Sequence, residues 1–422
     1  MKRCTPEQFL RHRSRRADPA LDTTVRRIIR DVRRGGANAV RKFTRRFDGV
    51  DLRQLAVAPR EMSAAWRALP PIERRAIQHA AREIRRFARL QRRSLRPVTT
   101  RSNGIDLGHC IVPMDRVGVY VPGGRYPLIS TVLMNVIPAQ EAGVPEIVLC
   151  TPPGRNGRPH PGILAACHHV GVRDVFAMGG AQAIAALAYG IHGLPRVHKI
   201  IGPGNKYVAR AKEIVSHDVA IDFFAGPTEL MILADEQANP WHVACDLLSQ
   251  AEHDPDARTV LVTTSGPLIA AVAKWLRLEL RRYPQGHAAR LAAAECDAVL
   301  VPTWRMAVQL ANASAPEHLQ VIVKNERQVV PCLRHYGSLF LGPWSAVAFG
   351  DYASGTNHTL PTGGAARVTG GLSIFHFLKI QTWQRVTPAG VRRTGPVVMT
   401  LAGMENLEAH RRSVAARGFA AE

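Results

Sequence analysis

Several features that would decide the class of protein early are missing from this sequence. No segment approaches the roughly 18 uninterrupted apolar residues that a membrane-spanning helix needs, and no apolar stretch follows the positive charges near the N-terminus, as a secretory signal requires. The seven cysteines are odd in number and never form a C-x-x-C pair. We therefore expect a reduced, cytoplasmic setting without a membrane partner or a disulfide framework.

What the chain does have is size and a large positive charge. Its 422 residues exceed the usual size of one hydrophobic core and predict two or more domains. The formal net charge of +23 comes largely from arginines in the first hundred residues, so nucleic acid must be considered as a partner. Those arginines lie on helix-like stretches without interleaved stacking aromatics or zinc-knuckle spacing. A solvated basic surface is the favoured interpretation, and a nucleic-acid-binding or scaffold protein stays the alternative from another class.

The spacing of apolar residues changes along the chain. Through the first hundred residues they recur every three or four positions, as at Val25, Ile28 and Val32, which predicts amphipathic helices. From Arg116 onward, short β-branched runs alternate with helical stretches, and the alternation resumes after Phe223. This pattern predicts two α/β units in series, each with a largely parallel sheet that is covered on both faces.

Glycine-bearing turns follow several of the predicted strands, at Gly123-Gly124, Gly179-Gly180 and Gly202-Pro203-Gly204-Asn205. At such a junction, glycine lets the backbone approach a ligand, and the free N–H groups of the next helix can hold a pyrophosphate. No G-x-G-x-x-G fingerprint is present, so pattern alone gives only a weak dinucleotide signal. Taken singly, each turn is more often just a turn.

Residues with metal-binding and acid–base chemistry concentrate in Ser249–Asp254, Ala315–Leu319 and Gly350–Thr362. On a helix predicted from Pro240 to Glu252, Gln250 and His253 are three residues apart and share a face. An amide oxygen and an imidazole nitrogen can therefore converge on one ion. The alternative is an ordinary polar helix end, which is the more frequent case for one histidine on one helix.

Glu317 and His318 are adjacent, after Pro316 and before a predicted strand. A carboxylate and an imidazole at the end of a loop could divide two proton transfers, since the pKa of each can be tuned towards neutral pH. Alone, this dipeptide is uninformative. Asp351, between glycine-rich segments, is a candidate third metal ligand, although aspartate after glycine is also a common turn residue.

Read together, eight ordered motifs from about Val112 to the C-terminus resemble the histidinol dehydrogenase family. They are VGVYVPGG, GGAQAIAALAYG, IGPGNKYVARAK, AGPTE, DLLSQAEHD, APEHL, GDYASGTNHTLPT and LEAH. The resemblance implies an α/β fold with two incomplete Rossmann-like parallel-sheet domains and helical regions at both ends. The expected divisions are an N-terminal helical region at 1–110 partly packed with the second α/β unit, Rossmann-like domains at 111–225 and 226–375, and a C-terminal arm at 376–422 exchanged in a homodimer.

The resemblance also implies a reaction, the oxidation of L-histidinol through the aldehyde to L-histidine, a step of histidine biosynthesis, with NAD as oxidant and one Zn²⁺ per active site. The implied metal ligands are Gln250, His253, Asp351 and, from a second subunit, His410. By the same analogy, His318 accepts the alcohol proton as hydride leaves for NAD, and Glu317 activates the water that hydrates the aldehyde. The implied cofactor contacts are Tyr120, Gln182 and Asn205. The implied substrate contacts are Thr228, Gln250, His253, His318, Asp351, His358, Glu405 and His410, with Lys379 as an addition.

Some positions depart from the usual family pattern. Thr228 stands for the serine of Gly-Pro-Ser-Glu, His376 for a smaller residue, and Asn406 for a glycine, where asparagine also tolerates a left-handed backbone. Arg125-Tyr126-Pro127 places its aromatic–proline pair two residues early. These changes leave the expected ligands and bases intact but touch the substrate pocket. The alternative is therefore a paralogue, similar to sulfopropanediol dehydrogenase, that oxidises another small primary alcohol such as an anionic sulfonated diol, whose charge Arg125 could bind.

Overall fold

A computed structural model describes residues 1–11, 18–123, 126–223 and 226–418. The strands are β1 (Lys2–Arg3), β2 (Val98–Ser102), β3 (Ile105–Pro113), β4 (Arg116–Tyr120), β5 (Glu146–Thr151), β6 (Asp174–Ala177), β7 (Lys199–Ile201), β8 (Ala220–Ile221), β9 (Glu229–Ala234), β10 (Arg258–Thr263), β11 (Asp297–Leu300), β12 (His318–Ile322), β13 (Ser338–Leu341) and β14 (Leu378–Val386).

The helices alternate with these strands through the middle of the chain. The α-helices are α1 (Pro6–Arg11), α2 (Pro19–Asp48), α3 (Pro59–Ala68), α4 (Pro71–Arg93), α5 (Ile129–Ala142), α6 (Pro161–Val170), α7 (Gly180–Tyr189), α8 (Lys206–Val215), α9 (Pro240–Ala251), α10 (Gly266–Glu279), α11 (Ala288–Ala294), α12 (Trp304–Ser314), α13 (Glu326–Val329), α14 (Val347–Tyr352), α15 (Pro388–Met404) and α16 (Glu408–Ala415). Within the described ranges, none of these helices combines the length and apolarity that crossing a membrane requires.

The first parallel sheet has the strand order β6-β5-β4-β7-β8. From β4 the chain builds outward through β5 and β6, and then returns to the other side of β4 with β7 and β8. This is the order of a doubly wound sheet, and its direction reverses between β4 and β7. Val117, Val119 and Leu149 are fully buried because helices cover both faces of the sheet. Ligands of such sheets bind beyond the carboxyl ends of the strands at the reversal point.

The second parallel sheet repeats this order as β11-β10-β9-β12-β13, with β1 added beside β11. Every residue of β9 is buried, as expected for a central strand that is covered on both sides. The α/β fold class and the helices and strands predicted between residues 116 and 323 are confirmed.

The N-terminal region contacts both α/β units. Strand β1 pairs with β11, and α1 contacts α12 of the second unit. In contrast, α2 packs against α7 and α8, α3 against α6, and α4 against α5, all in the first unit. The predicted apolar face Val25, Ile28 and Val32 of α2 is buried in the core of the first unit. Gly36, with φ of +53°, bends α2 in its middle.

A third sheet, β14-β3-β2, is antiparallel and was not foreseen. Strand β14 pairs with β3 over nine positions, from Leu378 opposite Pro113 to Val386 opposite Ile105. This sheet joins the start of the predicted C-terminal arm to a strand that spans the predicted boundary at residue 110. The helices α15 and α16 follow it as a hairpin.

Candidate active site

Predicted acid–base residues meet at the amino ends of two neighbouring strands. Thr228 directly precedes β9, Glu317 directly precedes β12, and His318 opens β12 opposite Leu230 of β9. Gln250 joins them from the last turn of α9. The side chains of Gln250, Glu317 and His318 are buried. Parallel pairing of β9 with β12 is what brings two chain-distant motifs together.

The carboxylate of Glu317 organises this group. Its Oε2 accepts hydrogen bonds from the Thr228 hydroxyl at 2.5 Å and from the Glu229 backbone N–H at 2.8 Å. The Gln250 amide donates to the same Thr228 hydroxyl oxygen. Thr228 therefore orders a carboxylate and an amide on different elements. The family resemblance implied that Thr228 contacts the substrate. Nothing in the sequence indicated that its hydroxyl also orders Glu317 and Gln250.

His318 lies beside Glu317, and one of its ring nitrogens is hydrogen-bonded. Its Nδ1 is 3.0 Å from the Glu229 carbonyl oxygen and 3.5 Å from Glu317 Oε2. Its Nε2 is buried without a hydrogen-bond partner among the described residues, 4.0 Å from Asp351 Oδ1. Burial alone would lower the pKa of His318, but the charge of Glu317 and its hydrogen bond, with smaller contributions from Asp351 and the carbonyl, raise it to about 9. The ring can therefore take up and hold a proton.

Asp351 lies near the unpaired nitrogen of His318, and His358 is electrostatically coupled to Asp351, His253 and His318. Asp351 lies on α14. The backbone N–H of His253 donates to the Gln250 carbonyl at 3.3 Å, so one further turn follows α9, which ends at Ala251, one residue before the predicted end. Burial lowers the pKa of His358, the charge of Asp351 opposes this, and the positive charges of His253 and His318 add to it. These four side chains are thus electrostatically coupled.

Unpaired polar atoms indicate where a ligand could bind. Gln250 Oε1, His318 Nε2 and His358 Nε2 are buried and lack hydrogen-bond partners in the described part of the chain. Each such atom costs about 1–3 kcal/mol when nothing binds it. The Gln250 amide group donates to Thr228, so its oxygen is oriented and available to a cation.

The zinc ligands predicted within one chain do not fill a four-coordinate site by themselves. No three His, Cys, Asp or Glu side chains within the described ranges are close enough together to hold a metal ion. An amide oxygen with His253 and Asp351 leaves one position of a four-coordinate zinc site open, which a donor from a second chain, a water molecule or the substrate can fill.

Three other predicted substrate or metal residues lie apart from this group in the single chain. Glu405 and His410 are exposed on the α15–α16 hairpin. No hydrogen bond or ion pair of the described residues joins either side chain to Glu317 or His318. Lys379 lies on β14 and lines a separate cavity of about 310 Å³ with Asp115.

The predicted cofactor residues lie at the carboxyl ends of the first sheet. Tyr120 ends β4, and its hydroxyl accepts a hydrogen bond from the Gly180 N–H at 3.2 Å, where α7 begins. Burial raises the pKa of Tyr120 to about 12. Gln182 is buried in the first turn of α7, and its Oε1 has no partner among the described residues. Asn205 caps α8 by accepting from two backbone N–H groups.

The turn after β7 is held by a buried ion pair that the motif analysis missed. A Cβ on Gly202 would lie 2.1 Å from the Tyr120 carbonyl oxygen, so only glycine fits there. Asp222 Oδ2 accepts from the Gly202 N–H at 2.7 Å, and Lys212 Nζ donates to the Gly202 carbonyl oxygen at 3.0 Å. Lys212 and Asp222 also pair with each other, and their side chains are 2% and 1% exposed.

The residues that depart from the usual family pattern lie in different parts of the structure. The ring of His376 packs edge-on against that of Phe223, with the ring centroids 5.4 Å apart. The backbone carbonyl oxygen of His376 accepts a hydrogen bond from Lys199 Nζ at 2.8 Å. Burial and the charge of Lys199 lower the pKa of His376 to about 4. None of the contacts described for His376 is with Glu317 or its neighbours. Asn406 has φ of +57°, the left-handed conformation expected of it. Arg125 lies outside the described residues.

The chain is similar to proteins described as histidinol dehydrogenases. The family model described as histidinol dehydrogenase matches residues 11–418. Histidinol dehydrogenase of Bacteroides fragilis is 45% identical over 405 residues, which are 94% of each chain. That of Methanocaldococcus jannaschii is 40% identical over 394 residues, covering 93% of this chain and 92% of that protein.

Solved structures extend the comparison to the fold. The crystal structure of histidinol dehydrogenase from Elizabethkingia anophelis is 35% identical, with a TM-score of 0.93 over 99% of this chain and 98% of that one. An NAD-dependent aldehyde dehydrogenase from Sinorhizobium meliloti is 14% identical, with a TM-score of 0.50 over 86% of this chain and 87% of that one. The second likeness concerns the fold alone.

Proposed function

The chain belongs to the histidinol dehydrogenase family of NAD-dependent oxidoreductases acting on CH–OH donors, and on this premise we propose that it oxidises L-histidinol through the aldehyde to L-histidine with zinc at the site. Two NAD molecules accept the four electrons, one hydride at a time. The observation that carries the proposal is the buried Glu317–His318 pair, with an unpaired imidazole nitrogen facing Asp351.

His318 is proposed as the base in the hydride-transfer steps. With Nδ1–H donating to the Glu229 carbonyl, the neutral ring presents the lone pair of Nε2 to the alcohol. The ring accepts the hydroxyl proton as hydride leaves the carbon for NAD, which supplies the redox chemistry. The adjacent Glu317 carboxylate stabilises the imidazolium that results, consistent with the raised pKa of His318.

Glu317 is proposed to activate the water that hydrates the aldehyde. Thr228 and the Glu229 N–H hold Oε2, so the carboxylate is fixed and Oε1 is available to a water molecule. Oε1 removes one water proton while the water oxygen bonds to the carbonyl carbon, which gives the hydrated aldehyde as its anion. The same carbon then loses the second hydride to NAD, and the carboxylic acid results. A carboxylate fixed in this way requires no reorganisation before it reacts.

Gln250, His253 and Asp351, with His410 of a second copy, are proposed to hold one zinc ion. When bound, zinc supplies a positive charge that orients the substrate. The unpaired Gln250 oxygen supports this assignment.

A homodimer with exchanged C-terminal arms would supply the missing donor. On α15, Val397, Leu401 and Met404 form an apolar face and are 56%, 54% and 76% exposed. Near Asp351, the rings of Phe349 and Tyr352 are also exposed. Apolar surface of this kind commonly marks an interface. We expect the arm of one subunit to cover the site of the other.

The test is a side-by-side turnover assay with NAD, L-histidinol and sulfopropanediol, combined with metal analysis of the purified protein. We expect two NADH per L-histidinol and one zinc per chain. Activity on the sulfonated diol and none on histidinol would reverse the substrate assignment in favour of the paralogue. Salt-sensitive binding to DNA or RNA without NAD reduction by any alcohol would overturn the enzyme assignment. A cytoplasmic location goes with this proposal.

A further inference from the structure

The first sheet lacks an acid where dinucleotide-binding sheets usually carry one. In such sheets a carboxylate near the end of the second strand binds the ribose of NAD. The second strand in chain order here is β5, which ends at Thr151 and is followed by two prolines. No acidic residue occurs between Glu146 and Asp174. A carboxylate at this corner must come from another part of the chain.

The N-terminal helical region reaches this corner. Helix α2 ends at Asp48, and the chain turns at Gly49. A Cβ on Gly157, in the loop after β5, would lie 3.4 Å from the side chain of Val50 and 3.3 Å from that of Leu52. The residues that follow Asp48 therefore pack against the loop in which the missing acid would lie.

Backbone pairing gives the direction of this segment. The Ala177 N–H donates to the Leu55 carbonyl at 2.7 Å, and the Val57 N–H donates to the Val175 carbonyl at 2.8 Å. The segment thus runs antiparallel to β6, as the bridge at Ala56 also shows. Because Leu55 lies nearer the carboxyl end of β6 than Val57 does, the residues before Leu55 lead towards the carboxyl edge of the sheet. Asp48 lies in that direction, at the edge where the cofactor residues lie.

One oxygen of the Asp48 carboxylate is unsatisfied, and the charge of this group acts on Tyr120. Its Oδ2 is buried with no hydrogen-bond partner among the described residues. Burial raises the pKa of Asp48 to about 6. Its charge also acts on Tyr120, where it adds to the effect of burial in raising the pKa of that phenol. Two further polar atoms near the ends of β5 and β6, Thr151 Oγ1 and Gln182 Oε1, are likewise buried without described partners.

We propose that Asp48 is a cofactor-binding residue whose carboxylate accepts hydrogen bonds from the adenosine ribose of NAD and excludes the 2′-phosphate of NADP. The inference rests on the proposed NAD dependence and adds to it a residue that determines cofactor choice. A ribose diol offers two O–H donors to an unpaired carboxylate, and such charge-assisted bonds are strong. A phosphate in the same place would bring like charges together in a poorly hydrated corner.

Calorimetric titration of the full-length protein with NADH and NADPH at pH 8 tests this without requiring turnover. Asp48→Asn should weaken NADH binding by about tenfold or more and reduce the preference for NADH over NADPH. Asp48→Glu keeps the charge and should keep the discrimination against NADPH. Asp51→Asn, the same change at an exposed position three residues away, should match the wild type. With L-histidinol, Asp48→Asn should raise KM for NAD more than it changes kcat.

A folding control accompanies these titrations. Asp48→Asn removes a buried charge and should melt no lower than the wild type at pH 8. If Asp48→Asn and Asp51→Asn give the same affinities and the same NADH preference as the wild type, the inference is overturned. A wild type that binds NADH in an Asp48-dependent manner but oxidises no alcohol would instead refute the proposed function and support this inference.

Discussion

Replacing Glu317 with glutamine should lower the pKa of His318 in metal-free protein. The pKa of His318 is raised from 6.5 to about 9, although burial acts in the opposite direction, and Glu317 is the largest of the raising causes. The rise corresponds to roughly 3 kcal/mol, at about 1.4 kcal/mol per unit. Glutamine keeps an oxygen that can accept from Thr228 and the Glu229 N–H, so the change removes mainly the negative charge.

The pH dependence of stability follows from the same shift. The folded-state pKa of His318 lies above the unfolded value, so its stabilising contribution is fully present below pH 6.5 and is lost as pH rises through about 9. Glu317→Gln should therefore reduce the free energy of unfolding at pH 6, by at most the roughly 3 kcal/mol of the whole shift. The difference from the wild type should be much smaller at pH 9.5.

The assay is an NMR titration of the histidine ring carbons in chelator-treated protein, with the His318 signal assigned by its absence from His318→Asn. Denaturant unfolding at pH 6 and pH 9.5 gives the stability difference independently. Glu236→Gln makes the same chemical change at an exposed position and should shift neither quantity. A His318 signal that titrates near 6.5 in the wild type, or one that Glu317→Gln leaves in place, would refute the electrostatic argument.

Four further outcomes are expected. His253→Ala should lose bound zinc, whereas His318→Asn should keep metal content near wild type while turnover falls by orders of magnitude, as metal analysis and NADH formation would record. Leu401→Glu or Met404→Glu places a charge on the exposed apolar face of α15 and should shift the protein towards monomer in light scattering, with loss of activity. Lys212→Met leaves a buried aspartate unpaired and should lower the free energy of unfolding by about 3–5 kcal/mol in denaturant titrations.

The sequence predicted the two parallel sheets because their strands are buried on both faces. The runs at β4, β5, β9 and β10 are continuous apolar segments between helical ones. This alternation can be recognised in the sequence without knowing which strands pair. The third sheet left no such pattern, since β2 is exposed at every position. Its pairing of β14 with β3 also joins residues far apart in the chain, such as Val386 and Ile105. Local periodicity carries no information about that contact.

For the site, motif resemblance supplied residue identities but not their bonds. The hydrogen bond from Thr228 to Glu317 spans 89 positions and depends on β9 lying beside β12. The unpaired oxygen of Gln250 follows from its amide donating to Thr228. The role proposed for Asp48 depends on the segment after α2, which packs against a distant loop. These features arise from packing between elements, which spacing within one motif cannot specify.

The residues proposed for cofactor binding and for acid–base catalysis lie at opposite ends of the strands in their two sheets. The first offers the carboxyl ends of its strands, with Gly202 against Tyr120, and the second offers amino ends, where Glu317 lies. One short segment connects them. Asp222 bonds the Gly202 N–H, and Thr228, six residues later, bonds Glu317. An extended chain of six residues covers at most about 20 Å. This bounds the distance between the residue that fixes the turn at Gly202 and the residue that fixes Glu317, whatever path the segment takes.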